Sequence, residues 1–188
     1  AAVNVGGTTV MLEAARAATV SRLIVASSSS VSGNDAAPPF REDEPAIRPI
    51  SPYAATKRAA ELLCETYASL YPWMRIVSLR FFTVYGPRQR PDLAIHSFTR
   101  RIMAGEPVPF FGDGTAERDY TYITDTVQGV MGAIDRTRTS APGHEIFNLG
   151  ESAVTSLAEL VRLIEAAVGR KATLERLPAQ AGDVRRTF

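Results

Sequence analysis

Helical and strand-like sequence patterns alternate along this chain, and the alternation limits the folds that it can adopt. Apolar residues recur at helical spacing over 10–18 and 53–70, and a short apolar run rich in β-formers follows each segment, at 22–26 and 75–82. The pattern continues with helices near 95–104, 124–135 and 156–168 and a strand at 145–149. Such alternation is typical of an α/β domain whose mainly parallel sheet is covered by helices and binds ligands at the carboxyl ends of its strands.

Prolines and glycines mark the breaks between these elements. They concentrate between residues 32 and 52, which predicts a long surface loop of the kind that is often functional. Pro52 then favours a helix start, and the alanines and leucines that follow make 53–70 the most regular helix expected in the chain.

Composition excludes several classes of protein. The chain has 188 residues, of which 45% are hydrophobic and 22% charged, so it is long enough and apolar enough for one folded domain with a small additional lobe. The formal net charge of +1 and the short pairs Arg100-Arg101 and Arg185-Arg186 give no basic stripe for a nucleic-acid partner. A run of about 20 apolar residues, as a membrane span requires, is absent from the sequence.

The cysteine and histidine content bears on the cellular compartment and on metal binding. Cys64 is the single cysteine, which fits a reducing compartment, and we expect a cytoplasmic protein in which Cys64 packs in the core. Residues 1–7 lack a signal-peptide pattern and begin without a capping residue, which reads as the start of a cut chain. His96 and His144 have no metal-ligand spacing, so we expect no metal site and predict surface or capping roles for both.

A tyrosine and a lysine stand one turn apart on the predicted helix 53–70. Tyr53 and Lys57 therefore project from one face and can act on one ligand. A lysine ammonium beside a phenol lowers the phenol's pKa from about 10, as a tyrosine general base requires. A Tyr-x-x-x-Lys pair is also common on amphipathic helices, so the pair alone does not establish catalysis. The serine run 27–30 at the end of the strand 22–26 would bring hydroxyls to the same crevice.

Eight short fragments in a fixed order carry a family resemblance. They are NVGGT (4–8), ASSSSVSG (26–33), SPYAATK (51–57), LRFFTVYGP (79–87), FGDG (111–114), RDYTYITD (118–125), FNLG (147–150) and GDV (182–184). Together they resemble the extended short-chain dehydrogenase/reductase superfamily, and specifically its sugar-nucleotide epimerases and dehydratases, over essentially the whole chain. The order of the fragments is more specific than any one of them.

The resemblance implies a partial Rossmann-like, doubly wound parallel sheet with a small substrate-binding lobe. Residues 1–86 and 119–149 are expected to form the partial NAD-binding domain, and 87–118 and 150–188 the partial nucleotide-sugar lobe. Family members often form dimers through a helix bundle that includes the Tyr-x-x-x-Lys helix, so a homodimer through the Tyr53–Lys57 helix is expected.

The resemblance also implies roles for the site residues. Tyr53 corresponds to the base that takes a proton from a sugar hydroxyl, normally at C4, while Lys57 is its electrostatic partner and holds the nicotinamide ribose. Ser28 corresponds to the catalytic Ser or Thr that binds the same sugar oxygen. Asn4 and Phe82 occupy cofactor-side positions, and NAD supplies the redox chemistry.

Substrate contacts are implied at a further set of motif positions. Arg118 is the expected partner of the diphosphate of a UDP-sugar. The segment 109–111 resembles a uridine-binding stretch, although the two phenylalanines would be explained equally well by core packing. The full set is Ser30, Thr83, Arg90, Pro109, Phe110, Phe111, Arg118 and Asp183.

Two residues after Ser28 favour one reaction. The family's 4,6-dehydratases usually place acidic residues there and its decarboxylases a glutamate, but this chain has Ser29 and Ser30. We therefore expect a fragment of a nucleotide-sugar 4-epimerase, and the stretch 83–92 most resembles the UDP-glucuronate type, with the UDP-glucose type close behind. A dehydratase or decarboxylase, or a truncated domain that binds without catalysis, remains the alternative.

The chain departs from the family pattern in two ways. Ser32 replaces the tyrosine of the usual Val-Tyr-Gly, which affects substrate specificity. The glycine-rich phosphate loop is absent from the sequence, so the resemblance implies that an amino-terminal part of the family domain and a carboxyl-terminal tail are missing. We expect the strand at 22–26 to lose a neighbour, and the chain alone to bind NAD poorly and be inactive or weakly active.

Overall fold

The computed structural model describes residues 1–34, 36, 38–46, 48–179 and 186–188. A π-helical turn, Ala2–Gly7, precedes the first α-helix, and a 3₁₀ turn, Ser29–Ser32, follows the first strand. The α-helices are α1 Thr8–Ala17, α2 Pro52–Leu70, α3 Ala94–Ala104, α4 Ile123–Thr139 and α5 Leu157–Val168. The strands are β1 Arg22–Ala26, β2 Arg75–Phe81, β3 Thr83–Tyr85, β4 Val108–Phe111, β5 Glu117–Arg118, β6 Tyr120–Tyr122, β7 Gly143–Leu149, β8 Thr155–Ser156, β9 Leu174–Leu177 and β10 Arg186–Thr187.

The main sheet consists of three parallel strands in the order β1-β2-β7. Side chains of β2 alternate between its two faces, as the pleat of a strand requires. Ile76 packs with α1 and α2, whereas Val77 and Leu79 pack with α4 on the opposite face. This arrangement confirms the predicted α/β class with a parallel sheet covered on both faces.

A second apolar core lies between α3, α5 and β4. Its buried side chains are Phe98, Ile102, Val108, Phe110, Leu160, Val161 and Ile164. All of them fall within 87–118 and 150–188, the ranges predicted for the substrate lobe, and the cores around the main sheet fall within 1–86 and 119–149. The assignment of a ligand to each lobe stays a prediction.

The loop after the 3₁₀ turn packs across the carboxyl edge of the main sheet. Phe40 is buried there, with its ring centroid 6.2 Å from that of Phe82. Asn148 in β7 holds the loop, because its Nδ2 donates to the Phe40 carbonyl at 2.8 Å and its backbone N–H donates to Glu42 Oε1 at 3.0 Å. Residues 40–42 of the predicted loop therefore lie over the ends of β2 and β7, at the edge where ligands of parallel sheets bind.

The strand β1 lies at one side of the main sheet. Within the described ranges it pairs with β2 alone, and its three central residues are half-buried. This placement agrees with the expectation that the strand lacks a neighbour on its other side. Among the helices that the structure describes, none is long and apolar enough to cross a membrane.

Candidate active site

The start of α2 is fixed by a side-chain cap. Ser51 Oγ accepts a hydrogen bond from the Ala54 N–H at 3.1 Å, and Pro52 occupies the first helical position, where its missing N–H leaves no bond unmade. Tyr53 follows in the first turn with 51% of its surface exposed, while Ala54 is buried against the body of the protein. The cap therefore sets the position of an accessible phenol beside the sheet edge.

Lys57 joins α2 to the carboxyl end of β1. Its Nζ donates to the Ala26 carbonyl at 2.8 Å and lies 5.9 Å from the centroid of the Tyr53 ring. Burial lowers the pKa of Lys57 below its ordinary value, because a partly desolvated ammonium is disfavoured. The cation thus stays near the phenol rather than in open solvent, which is the relation that the helical spacing predicts.

Ser28 lies two residues beyond Ala26, in an extended conformation that begins the 3₁₀ turn. Its buried hydroxyl accepts from the Ser30 N–H at 3.3 Å and donates to Ser30 Oγ at 3.1 Å. The turn contacts α2. Ser28 and Ser30 therefore form one hydroxyl pair at the end of β1, close to the helix that carries Tyr53 and Lys57.

The predicted cofactor-side residues Asn4 and Phe82 lie on different elements. Asn4, in the π-helical turn, donates from Nδ2 to Thr56 Oγ1 at 3.0 Å, which places it beside the residue that precedes Lys57. Phe82 follows β2, and its backbone N–H donates to the Leu149 carbonyl at 3.1 Å. Both residues therefore contact elements of the predicted NAD-binding part.

A cavity of about 420 Å³ opens beside the second apolar core, between α3, β4 and the start of α5. Four of the predicted substrate residues line it together, namely Thr83, Pro109, Phe111 and Arg118. Thr83 is anchored through its N–H, which donates to the Asp119 carbonyl at 3.1 Å. The structure thus brings an arginine, a hydroxyl and an aromatic ring to one concave surface, as a phosphorylated nucleoside requires.

The remaining predicted substrate residues lie elsewhere. Phe110 is 4% exposed and belongs to the second apolar core, in agreement with the packing alternative. Its ring also lies under Gly114, where an added Cβ would stand 2.4 Å from Cζ. Arg90 is exposed and pairs with Asp92 at 3.3 Å, next to the cavity but not in its lining. Asp183 lies outside the described residues.

Comparison with known proteins decides the family. The profile of the NAD dependent epimerase/dehydratase family matches residues 1–150. The chain belongs to this family. The match confirms the resemblance that the sequence fragments indicate.

Individual relatives of this epimerase/dehydratase chain are similar over nearly all of it. It is 40% identical over 186 residues to the UDP-glucuronate 4-epimerase of Thermodesulfobacterium geofontis, covering 98% of this chain and 55% of the relative. A UDP-glucuronic acid 4-epimerase from Bacillus cereus, solved with UDP-4-deoxy-4-fluoro-glucuronic acid and NAD, superposes with a TM-score of 0.92 at 34% identity, covering 100% of this chain and 58% of that one.

A UDP-glucose 4-epimerase is also similar. The Thermus thermophilus enzyme in complex with NAD superposes with a TM-score of 0.86 at 31% identity and covers 99% of this chain and 60% of that one. The epimerase/dehydratase chain therefore spans little more than half the length of the relatives that it matches.

Sequence reasoning missed Asp119 in this epimerase/dehydratase chain. The side chain is 2% exposed and accepts hydrogen bonds from the N–H groups of Glu151 and Ser152 and from the Thr121 hydroxyl. It thereby ties the segment after β7 to the strand that carries Arg118. The Arg-Asp-Tyr fragment contains the residue, but only the fold shows that the aspartate holds the segment after β7 next to Arg118.

Glu61 and Arg80 were missed as well. Both side chains are buried, and they form two parallel hydrogen bonds, Nε to Oε1 at 2.9 Å and Nη2 to Oε2 at 3.0 Å. The available signal was the spacing of Glu61, which follows Lys57 by one helical turn on the same face. Charged residues inside apolar elements are rarely buried without a partner, so the pair could have been sought.

His96 is exposed, as expected, whereas His144 is half-buried. His144 lies within β7, and its Nε2 is 2.8 Å from Ser78 Oγ of the neighbouring strand β2, so it pairs within the sheet and does not cap a helix. Burial lowers the pKa of this imidazole.

Cys64 is fully buried, as predicted. Across the part of the chain that the structure describes, no three His, Cys, Asp or Glu side chains are grouped to hold a metal ion.

Proposed function

We propose that this chain carries the catalytic residues and much of the sugar-nucleotide site of a UDP-sugar 4-epimerase that works with NAD, with UDP-glucuronate as its substrate. The proposal rests above all on one contact. Lys57 Nζ reaches the Ala26 carbonyl, and so holds the Tyr53 turn of α2 against the strand end that carries Ser28. The relatives named above, two of them UDP-glucuronate epimerases, support the same reaction.

The side chains at this edge suit NAD. An ammonium has three N–H donors, and Lys57 uses one of them on Ala26, which leaves donors for the hydroxyls of a ribose. When bound, NAD accepts a hydride from the sugar carbon and later returns it. Asn4, Ser28, Tyr53, Lys57 and Phe82 would hold the cofactor at the carboxyl edge of the sheet.

Tyr53 and Ser28 would handle the proton. Tyr53 Oη, beside the Lys57 ammonium, would act as the general base that takes the proton of the C4 hydroxyl while the C4 hydrogen leaves as a hydride, so that C4 becomes a ketone. Ser28 donates a hydrogen bond to the same oxygen. In the return step the hydride arrives at the opposite face of C4 and Tyr53 gives the proton back, which inverts that carbon and restores both residues.

Epimerisation fits the hydroxyl pair better than dehydration does. Elimination of water needs a general acid and a general base besides the tyrosine. The two positions after Ser28 are Ser29 and Ser30, and the Ser30 hydroxyl accepts a hydrogen bond from Ser28. Neither position supplies a carboxyl group, so the dehydratase and decarboxylase alternatives lack their usual acid there.

The cavity beside the second apolar core would hold the UDP part of the substrate. Arg118 would pair with the diphosphate, and the Phe111 ring together with Pro109 would support the base. Arg90, at the edge of this cavity, would attract the carboxylate of a glucuronate. Thr83 and Ser30 would contact the sugar, and we keep Asp183 as a proposed substrate contact.

We further propose a homodimer through α1 and α2 in the cytoplasm. Val10 and Met11 on α1 are 67% and 65% exposed, and Leu62 on α2 is 48% exposed, which leaves apolar side chains beside the Tyr53–Lys57 helix. Met11→Glu combined with Leu62→Glu should convert a dimer to a monomer in analytical ultracentrifugation. Met103→Glu is the control, because Met103 is equally exposed but lies on α3. A monomeric unmodified chain would contradict the dimer.

The activity can be tested in a completed protein, in which a segment with a phosphate-binding loop is fused ahead of Ala1. This protein should interconvert UDP-glucuronate and UDP-galacturonate, as followed by chromatography of the products. Tyr53→Phe should lower kcat by about 10²- to 10⁴-fold, the usual contribution of a general acid–base. Tyr71→Phe, at the end of α2, is the control and should be fully active. Substrate binding without interconversion would instead indicate a non-catalytic domain.

A further inference from the structure

We propose that Glu61 and Arg80 form a positioning pair that sets where Tyr53, Lys57 and Ser28 stand relative to one another. The inference rests on the epimerase activity proposed above and adds two residues to it. Neither side chain reaches the cavity or the exposed sheet edge, because both are 1% exposed. Their effect on the reaction must therefore pass through the residues that they hold.

Glu61 lies on the catalytic face of α2. Residues 53, 57 and 61 follow one another at four-residue spacing, so the carboxylate stands directly behind Lys57 on the side of the helix that meets the sheet. A shift or rotation of α2 that moved Glu61 would move Tyr53 and Lys57 by a similar amount, because a helix of this length behaves as a rigid rod over two turns.

The carboxylate also holds the end of β1. Ser27 Oγ donates to Glu61 Oε1 at 2.6 Å, while the Ser27 N–H donates to the Leu79 carbonyl of β2 at 2.7 Å. Ser27 stands between Ala26, whose carbonyl accepts from Lys57, and Ser28, the proposed catalytic hydroxyl. The Glu61 contact therefore fixes the residue that separates two functional groups of the site.

Arg80 connects the same carboxylate to β2. Its guanidinium makes the two parallel bonds to Glu61, and Arg58 Nη1 adds a third cationic donor at 3.0 Å from Oε2. With Ser27, four donors surround the two carboxylate oxygens and fill their acceptor sites. Phe82, a proposed cofactor contact, follows Arg80 by two residues. One buried carboxylate thus joins α2, the end of β1 and the end of β2, which carry the proposed chemistry.

A buried ion pair is a poor device for stability alone. Removing two charges from water costs about as much as their attraction returns, so an apolar pair of similar volume often folds equally well. The value of the Glu61–Arg80 pair lies in its geometry, because a bidentate contact between a planar guanidinium and a carboxylate restricts both distance and angle. Apolar side chains would fill the space without this restriction and without a bond to Ser27.

The test is a charge-neutral double variant, Glu61→Leu with Arg80→Met, made in the completed protein. We expect its thermal unfolding midpoint to stay close to that of the unmodified protein, while kcat falls by about 10²-fold and KM changes by less than about threefold. A purely structural role would lower the midpoint without this division between kcat and KM. Retention of the unmodified kcat would overturn the proposal.

A control removes a partly exposed ion pair that joins a helix to the same sheet. Arg136 on α4 and Glu145 on β7 are 2.6 Å apart, away from the carboxyl edge. Arg136→Met with Glu145→Leu should leave kcat unchanged. If both double variants lose kcat equally, the loss reflects general loosening of the sheet, and the positioning role of Glu61 and Arg80 is wrong.

A crystal structure of each variant separates this proposal from the proposed activity. In the Glu61→Leu, Arg80→Met chain, the 2.8 Å contact between Lys57 Nζ and the Ala26 carbonyl should lengthen or break, and Ser27 should lose its side-chain partner. An unchanged contact overturns the positioning role, whatever the activity. A completed but unmodified protein that shows no interconversion would refute the proposed activity, and with it the kinetic part of this proposal, while the crystallographic comparison still reports on the geometry.

Discussion

Glu61 illustrates how a single residue can combine burial with charge. Burial alone would raise the pKa of this carboxyl, yet hydrogen bonds from Arg80 and Ser27, with the Arg80 charge, outweigh burial and hold the pKa below its ordinary value of 4.5. The group is therefore ionised in the folded chain at neutral pH. Because the partners of the carboxylate lie on α2, on β2 and at the end of β1, its ionisation contributes to holding these three elements together.

The pH dependence of stability should reveal this contribution. Since the folded pKa of Glu61 lies below the unfolded value, its stabilisation is complete above about pH 4.5 and is lost as the pH falls through the folded pKa. Glu61→Gln, which leaves Arg80 buried with a neutral partner, should cost about 3–5 kcal/mol of unfolding free energy at pH 7. Urea titrations followed by circular dichroism should show this difference shrinking below pH 4. A constant difference across that range would contradict the assignment.

Some side chains of the candidate site could be predicted from the sequence, and others could not. Tyr53 and Lys57 could be predicted because both lie on one regular helix, where spacing alone places side chains on a common face. The partners of Asp119 and Glu61 could not be identified from the sequence, since they come from distant parts of the chain and only tertiary packing brings them together. Phe110 shows the opposite limit, because an aromatic residue next to a turn fits a ligand wall and a core equally well until its burial is known.

At the scale of elements, the N-terminal cap of α2 should affect both the stability of the helix and the position of Tyr53. Ser51→Ala removes the acceptor for the Ala54 N–H and should cost about 1 kcal/mol. Because Tyr53 lies in the first turn, fraying there should also lower kcat of the completed protein by about tenfold. Ser156→Ala is the matched control, since Ser156 caps α5 through the Glu159 N–H at the same 3.1 Å. It should cost the same stability and leave kcat unchanged.

Two glycines in α4 separate helix propensity from packing. A Cβ at Gly132 would meet nothing within 4 Å, so Gly132→Ala should stabilise the chain by about 1 kcal/mol and raise Tm by about 2–4 °C. A Cβ at Gly129 would lie 2.7 Å from Leu149 Cδ2, so Gly129→Ala should lose about 1–3 kcal/mol through overpacking against β7. Differential scanning calorimetry measures both changes. Equal gains from the two substitutions would show that α4 does not approach β7 closely.

The long elements were predictable and the short strands were not. The helix 53–70 is found as Pro52–Leu70 and the strand 75–82 as Arg75–Phe81, because their apolar patterns extend over several periods. β5, β8 and β10 contain two residues each, too few for any periodicity, and the pairing of β10 with β5 and of β5 with β8 joins segments far apart in the sequence. The cavity lies among such short strands, so its lining could be guessed from motifs but not from patterns.

At the scale of the whole molecule, this chain contains the cavity proposed for the UDP-sugar but lacks the phosphate loop that an NAD site usually has. The cavity with Arg118 and Phe111 lies in the lobe whose core is formed by α3, α5 and β4. The proposed NAD site depends on the edge beside β1, where the 188 residues contain no glycine-rich phosphate loop. A helix N-terminus with such a loop is the usual means of binding a pyrophosphate. The 188-residue chain should therefore bind UDP-glucuronate more tightly than NAD.

Calorimetric titration of the 188-residue chain can measure that difference. UDP-glucuronate should bind with a dissociation constant of about 1 mM or tighter, and Arg118→Met should weaken this binding by about 10- to 100-fold, the effect of losing a charged hydrogen bond. Arg138→Met, which removes an exposed guanidinium paired with Asp135, should have no effect. NAD should produce no binding heat at the same concentrations, because neither Lys57 nor Asn4 can replace a pyrophosphate site. Micromolar NAD binding would mean that the β1 edge holds the dinucleotide without a phosphate loop, whereas loss of UDP-glucuronate binding in the Arg138→Met variant would place the diphosphate outside the Arg118 cavity.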